Sequence, residues 1–305
     1  MKSAKNVKKD FNFWQVDNRI ERINEDKGLI ILPSPLAWEK FAWLREWFKE
    51  KPKEGYFIWV KKQLDFPLSA CVTIASAKVK QSLTNILVIE KNIKAKANVM
   101  CHAAKNDLAG THVAIGKLVL KEGSFLEYNH VHKWGEKDLV NPDYQFVLEK
   151  DSRLIYNYQN LFPAKKLNLV NSVIAKKNSS AQISFVVNGD NSEISLNEEI
   201  VLKEENAQAV LKLRLVGRKN SQITAKSRVV AKAPVKGHLD CQGLLVDEKS
   251  TISLTPELVC ENRMAQITHE ASIGRISEEE LNYLRMRGLT ESEAIDLIVS
   301  GFLKA

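Results

Sequence analysis

The residues best equipped for chemistry are one thiol and one histidine–glutamate pair. Cys241 lies in GHLDCQGLL (237–245), and His269 and Glu270 follow 28 residues later in THEA (268–271). A histidine or carboxylate beside a thiol favours the thiolate, and all three groups ligate soft or borderline metals. If the chain repeats at that interval, the thiol and the pair stack on neighbouring coils. The competing reading makes Cys241 a small buried core residue.

Other candidates carry less. His130 and His132, in YNHVHKW (128–134), share one face of a strand at a spacing a metal could use. With no carboxylate pair or third ligand evident nearby, they are expected to be polar surface residues. Cys101 and His102 are adjacent and point to opposite faces. The four cysteines are far apart with no CxxC pairing, so free thiols are expected. There is no GxSxG, HExxH, Walker A or GxGxxG motif. A glycan-cleaving β-helix would need carboxylates clustered on one exposed face. Here the acidic residues mostly sit in turns beside lysines. A carbohydrate-active enzyme and a purely structural solenoid are the alternatives to a binding scaffold.

The elements that must position these groups are strands. From Tyr56 onward, short β-rich runs (YFIWVKK, NILVIEK, KLVLKEG, YQFVLEK, NSVIAKK, EEIVLKE) each end in charged or turn residues. The apolar residue before each turn falls at Leu120, Leu148, Ile174, Leu202, Val230 and Val246, a period of 26–28 residues until a last interval of 16. A constant period in this range marks a repeat whose coils bury a core only by stacking. Three regions follow: 1–55, an N-terminal arm and helix; 56–265, the β-helix core; and 266–305, a C-terminal segment with a helical hairpin. The N-terminal helix is predicted to start with Ser34 as N-cap and Pro35 at N1, and to run to about Lys49. Its tryptophans are expected to plug the open end of the core, behind an arm containing Lys2, Lys5, Lys8 and Lys9. Two capping boxes, Ser277-x-x-Glu280 and Thr290-x-x-Glu293, open two helices separated by Gly288. This hairpin is expected to cap the solenoid or dock a partner, with capping preferred.

The net charge of +8 comes from lysines spread along the strands, so no nucleic-acid partner is expected. No run approaches the ~20 apolar residues of a membrane span. The N-terminal residues lack the apolar run of a secretory leader. The cytoplasm is the expected compartment.

The stretch GHLDCQGLLVDEKSTISLTPELVCEN through ITHEASIGRISEEELNYLRMRGLTESEAIDLIVSGFL resembles the C-terminal region of the SufB/SufD family, the scaffold proteins of the SUF iron–sulfur cluster assembly system. The resemblance is specific over about 237–303. Over about 80–236 only the strand rhythm agrees. It implies a right-handed parallel β-helix that is not itself an enzyme and holds a transient iron–sulfur cluster. Cys241 matches the SufB cysteine that accepts sulfur or the nascent cluster, and His269 and Glu270 match the neighbouring histidine and glutamate. The terminal helices, through Leu281, Leu284, Ile295, Ile298 and Phe302, would bind a SufC-type ABC ATPase. Scaffold chains of this family pair through their β-helices, so a homodimer or a SufD-like partner is implied. The departures are specific. No cysteine lies between 101 and 241, and the position nearest the inner sulfur-accepting cysteine of SufB is about Val173. The N-terminal CxxCxxxC is absent, and Thr268 stands where SufB often has Glu. The chain is similar to a compact SufB-like form serving a minimal scaffold-plus-ATPase system.

Overall fold

The computed structural model describes residues 11–48 and 50–304. The basic arm expected over the first ten residues, and the expected helix end at Lys49, lie outside the described residues. The chain opens with β1 (Phe13–Val16), β2 (Arg19–Ile23), β3 (Leu29–Pro33), α1 (Ser34–Lys40) and α2 (Leu44–Trp47). The first coils are β4 (Tyr56–Val60), β5 (Leu68–Ile74), β6 (Lys80–Ile89), β7 (Lys94–Ala103), β8 (Thr111–Leu120) and β9 (Phe125–Lys133). The middle coils are β10 (Leu139–Leu148), β11 (Arg153–Phe162), β12 (Lys166–Ala175), β13 (Ser180–Asp190), β14 (Glu193–Leu202) and β15 (Gln208–Arg218). The last are β16 (Gln222–Ala231), β17 (Lys236–Leu245), β18 (Thr251–Cys260) and β19 (Gln266–Arg275), followed by α3 (Glu278–Met286) and α4 (Glu291–Lys304).

These strands form a parallel β-solenoid of about eight turns. From β4 onward each coil gives one strand to each of two sheets, with order β19-β17-β15-β13-β11-β9-β7-β5-β1-β2 in one and β18-β16-β14-β12-β10-β8-β6-β4-β3 in the other. Alternate residues of both sheets fill the space between them, as the period-two runs require. Tyr128, Tyr144, Phe146, Tyr156, Tyr158 and Phe185 make its aromatic centre. Among them, Phe146 and Tyr156 lie 4.8 Å apart, and Tyr158 and Phe185 5.0 Å apart.

The expected repeat is present, but two of its marker positions move. Leu120, Leu148 and Leu202 stack in register, whereas their partners in the intervening and following coils are Ala175 and Ala231, not Ile174 and Val230. A residue one place off faces the other side of the sheet. The period is kept by the turns that follow β6, β8, β10, β12 and β14. Asn92, Asp151, Asn178 and Asn206 hold the left-handed conformation there, with Gly123 in the same role. These residue types tolerate positive φ. Asn178 donates to Asp151 Oδ1 at 2.8 Å, and Asn206 to Asn178 Oδ1 at 3.1 Å, tying successive turns together. The next residue in three of them, Ser124, Ser152 or Ser179, donates its hydroxyl to the carbonyl three places back, at 2.7 Å each time.

Both ends depart from expectation. Pro33, not Ser34, is the N-cap of α1, and the Ser34 hydroxyl instead donates to the Glu54 carbonyl at 2.8 Å. The helix stops at Lys40, and α2 is a separate single turn. The tryptophan cluster does not plug the core. Ala37, Leu44 and the aromatics around Phe41, Trp43 and Trp47 cover Phe57, Ile86 and Val88, which project from the outer face of β4 and β6. Strands close this end instead: β1 pairs with β5 and β2, and β3 with β4. Both C-terminal capping boxes form. However, the hairpin folds back onto the outer face of β15 and β17, where Val299 meets Val216 and Leu244. It leaves the last coil uncovered, so the expected cap is not there. Most residues of β18 and β19 are exposed or half-buried.

One glycine is dictated by packing. A Cβ on Gly116 would sit 2.0 Å from Cδ1 of Tyr144 in the next coil. Gly116→Ala is predicted to destabilise the protein by about 1–3 kcal/mol, the usual range for overpacking. The shift in urea midpoint against wild type measures it.

Candidate functional site

The candidate site sits at the uncovered end. Cys241 lies on β17 in the same orientation as Leu239 and faces the interior, 1% exposed. In the ladder its partner on the last strand is Ala271, so only a methyl group stands in register between the thiol and the open end. Burial pushes the thiol up to about 11, against the opposing pull of the Ser227 hydroxyl. In this conformation the sulfur is therefore protonated and shielded.

His269 and Glu270 belong to that last strand. The 28-residue interval places His269 one coil from Cys241, but not directly above it: His269 pairs with Leu239 and Glu270 with Asp240. His269 thus shares the interior-facing side with Cys241, two residues along the strand. Glu270 is on the opposite, outward side. Both are exposed, because no further coil covers them. Across the opening, Cys260 on β18 stacks on the interior-facing Ala231 and is also exposed. No motif in the sequence marks Cys260; its register with Ala231 brings it to the site. Ile252, Leu254, Leu258 and Ile267 complete a half-buried apolar rim.

Behind the thiol, on the outer face, Arg214 Nη2 lies 2.7 Å from Asp240 Oδ2, with both side chains largely buried. The Arg214 hydrogen bond holds the Asp240 carboxyl below its ordinary value, against desolvation. This pair fixes the strand that carries Cys241.

The apolar residues expected to face a partner are all buried or half-buried within this chain. Ile295, Ile298 and Phe302 pack on the cluster around Val216 and Leu244. Leu281 is buried and Leu284 half-buried. Tyr283, Met286 and Leu297 are the exposed apolar groups, Met286 at 79%. An ion pair at 3.3 Å between Arg218 and Asp296 also ties α4 to β15. Val173, at the position discussed for sulfur entry, is a fully buried aliphatic residue of β12. His130 and His132 are not surface residues. Both are fully buried, and Cys101 of the preceding coil is the neighbour the sequence did not show.

These features define a parallel β-solenoid whose open terminal coil presents imidazole and thiol groups, with a second thiol one layer below. The chain belongs to the family described as SUF system FeS cluster assembly, SufBD core domain, whose family model matches residues 72–302. It is 30% identical over 301 residues to an iron–sulfur cluster assembly SufBD family protein of Methanothermobacter thermautotrophicus, covering 91% of this chain and 73% of that one. A relative of the same description from Archaeoglobus fulgidus is 29% identical, covering 91% and 80%. The iron-sulfur cluster assembly protein SufB of Bacillus subtilis is 22% identical over 258 residues, covering 82% and 55%. The chain is thus a SufBD-family iron–sulfur cluster assembly protein. Among the described residues no helix is long and apolar enough to cross a membrane.

Removing Arg214 alone would strand the Asp240 carboxylate. Arg214→Met is predicted to cost about 3 kcal/mol, as when one partner of a buried pair is deleted. Pairing it with Asp240→Asn should recover part of that loss. Denaturation midpoints of the two single variants and the double variant measure the coupling.

Proposed function

We propose that this chain is a SufB-like, non-enzymatic cytoplasmic scaffold on which a nascent iron–sulfur cluster is built and from which it is transferred. It works with a SufC-type ABC ATPase. The observation that carries this reading is the open last coil, which exposes His269 and Cys260 and leaves Cys241 one methyl group from the surface.

An uncovered coil has unpaired backbone groups along two strand edges, and such edges invite pairing with a second chain. Two copies meeting through β18 and β19 bring Cys241 of one towards His269 of the other, between two apolar rims. A SufD-like chain in place of the second copy would do the same. Cys241 supplies thiolate to iron, its proton leaving to solvent as the sulfur–iron bond forms, and His269 supplies a neutral nitrogen. Glu270, on the outward side, joins this set only when β19 moves. The means of moving it is built in, since just Ile276 and Ser277 join β19 to α3. An ATPase seated on Tyr283, Met286 and Leu297 transmits its closure through that link to the terminal strand. The same motion uncovers Cys241, restores water around it and removes the burial that keeps it protonated.

Three outcomes follow. Anaerobic reconstitution with iron and sulfide in the presence of the ATPase yields a cluster chromophore in wild type that Cys241→Ser lacks; a wild type without the chromophore contradicts the reading. Deleting residues 277–305 abolishes ATPase binding in a pull-down while the β circular dichroism persists; retained binding contradicts the docking assignment. Alkylation of Cys241, followed by peptide mass spectrometry, is slow in the isolated chain and accelerates at least tenfold with ATPase and nucleotide. Equal rates would mean the thiol is not uncovered.

A further inference from the structure

We propose that Cys101, His130 and His132 form a second metal site, sealed inside the solenoid, that takes a thiophilic d10 ion, zinc(II) or copper(I). Four ladder steps separate β9 from β17, roughly 19 Å at about 4.8 Å per step, so this is not the terminal site.

The site is assembled by register. Cys101 on β7 is the ladder partner of His132 on β9, and Val99 is the partner of His130. Alternation then points all three side chains into the interior, where each is at most 1% exposed. The Cys101 sulfur lies 3.6 Å from Nε2 of His130. One donor atom from each residue falls within 4.8 Å of the other two. The two imidazole centroids are 4.5 Å apart and nearly perpendicular, so their donor atoms converge without the rings stacking.

Partner accounting shows that the cluster is not a satisfied core network. His132 Nδ1 is held by the Tyr158 hydroxyl at 2.9 Å, while its Nε2, fully buried, has no hydrogen-bond partner. This is the arrangement of a metal-ligating histidine, whose outer nitrogen is fixed by a second group while the inner one is left for the ion. His130 Nδ1 and Nε2 of the neighbouring His112 are likewise buried without partners. The Gln81 amide nitrogen donates to the carbonyls of Asp17 and Thr73, so its oxygen accepts from His112 Nδ1, and Nε2 of that ring carries the lone pair. Asn160 stacks on His132 in the next coil, with both amide atoms buried and unpaired. Buried polar atoms are normally satisfied. So many orphans around one point mark a place where a ligand completes the set. A thiolate with two neutral imidazoles and no carboxylate is a soft donor set. Zinc would take a fourth ligand from Asn160 or water, and copper(I) is content with three. On binding, the Cys101 S–H bond is replaced by a sulfur–metal bond and the proton leaves to solvent, with no change of oxidation state.

The site is tested in the full-length chain carrying Cys241→Ser and Cys260→Ser, which removes both thiols of the terminal coil. The protein is refolded from urea with zinc, with copper(I), or with cobalt(II) as the optical stand-in for zinc. The expected result is one zinc or copper(I) per chain by mass spectrometry after desalting, a thiolate-to-cobalt charge-transfer band, and a metal-dependent rise in the unfolding midpoint. Cys101→Ser should remove the band, and His132→Gln should weaken affinity at least tenfold. If either variant fails to fold, Cys71→Ala leaves Cys101 as the sole thiol, and the band must persist there. Absence of the band and of stoichiometric zinc or copper(I) from the Cys241→Ser, Cys260→Ser protein overturns the proposal. So does unchanged affinity in a folded Cys101→Ser variant.

Discussion

The coil-to-coil parallel ladder places every functional group of this molecule. The hydrogen bonds that join each strand to the strand one turn later fix which residues share a column. Strand alternation then fixes whether a column faces the interior or solvent. One residue of slip would turn Cys241 outward and bring Asp240 into the core. The register holds because most interior residues are apolar and stack coil on coil, and because left-handed Asn and Asp turns recur at matching positions. Outward asparagines, such as Asn157 donating to Asn129 Oδ1 at 2.8 Å, add a second column of contacts along the same ladder.

A stack of this kind has two ends, and this chain treats them differently. At the N-terminal end, β1, β2 and β3 close off the first coils, and an aromatic layer covers the outer face of β4 and β6. At the other end the helices that could have covered the last coil lie along the side of the solenoid. The terminal strands keep free edges, and their interior-facing residues stay accessible. Aggregation is the ordinary risk of such an edge. Here the edge carries the groups proposed to hold the cluster, so the proposed site and the unsatisfied part of the fold coincide. The short link from β19 to α3 makes the same place mechanically addressable.

Much of this was legible beforehand. Alternation and the near-constant interval mark a solenoid, because few other arrangements bury such short strands. Both capping boxes were readable because that chemistry is local. What escaped was set by longer-range packing. α1 stops at Lys40 as Phe41 and Trp43, just beyond it, pack on Phe57, a contact no helix propensity encodes. Ile174 and Val230 looked like core markers, but smaller alanines beside them occupy the interior columns. The interval of 28 residues led to Cys241 and His269 stacking directly, whereas the coil between them runs two residues longer, so Ala271 occupies that place. The Cys101 cluster was hidden by a similar irregularity. A seven-residue connection at 104–110 stretches that coil, so Cys101 pairs with His132 across 31 residues, outside the 26–28-residue interval.

The central claim is that the nascent cluster is held at the open C-terminal coil. An iron-edge anomalous difference map of the anaerobically reconstituted scaffold–ATPase complex tests it most directly. The account predicts an iron peak within bonding distance of Cys241 Sγ, with His269 of the same or the second copy beside it. A strong iron peak elsewhere on the chain, with none at Cys241, would contradict it.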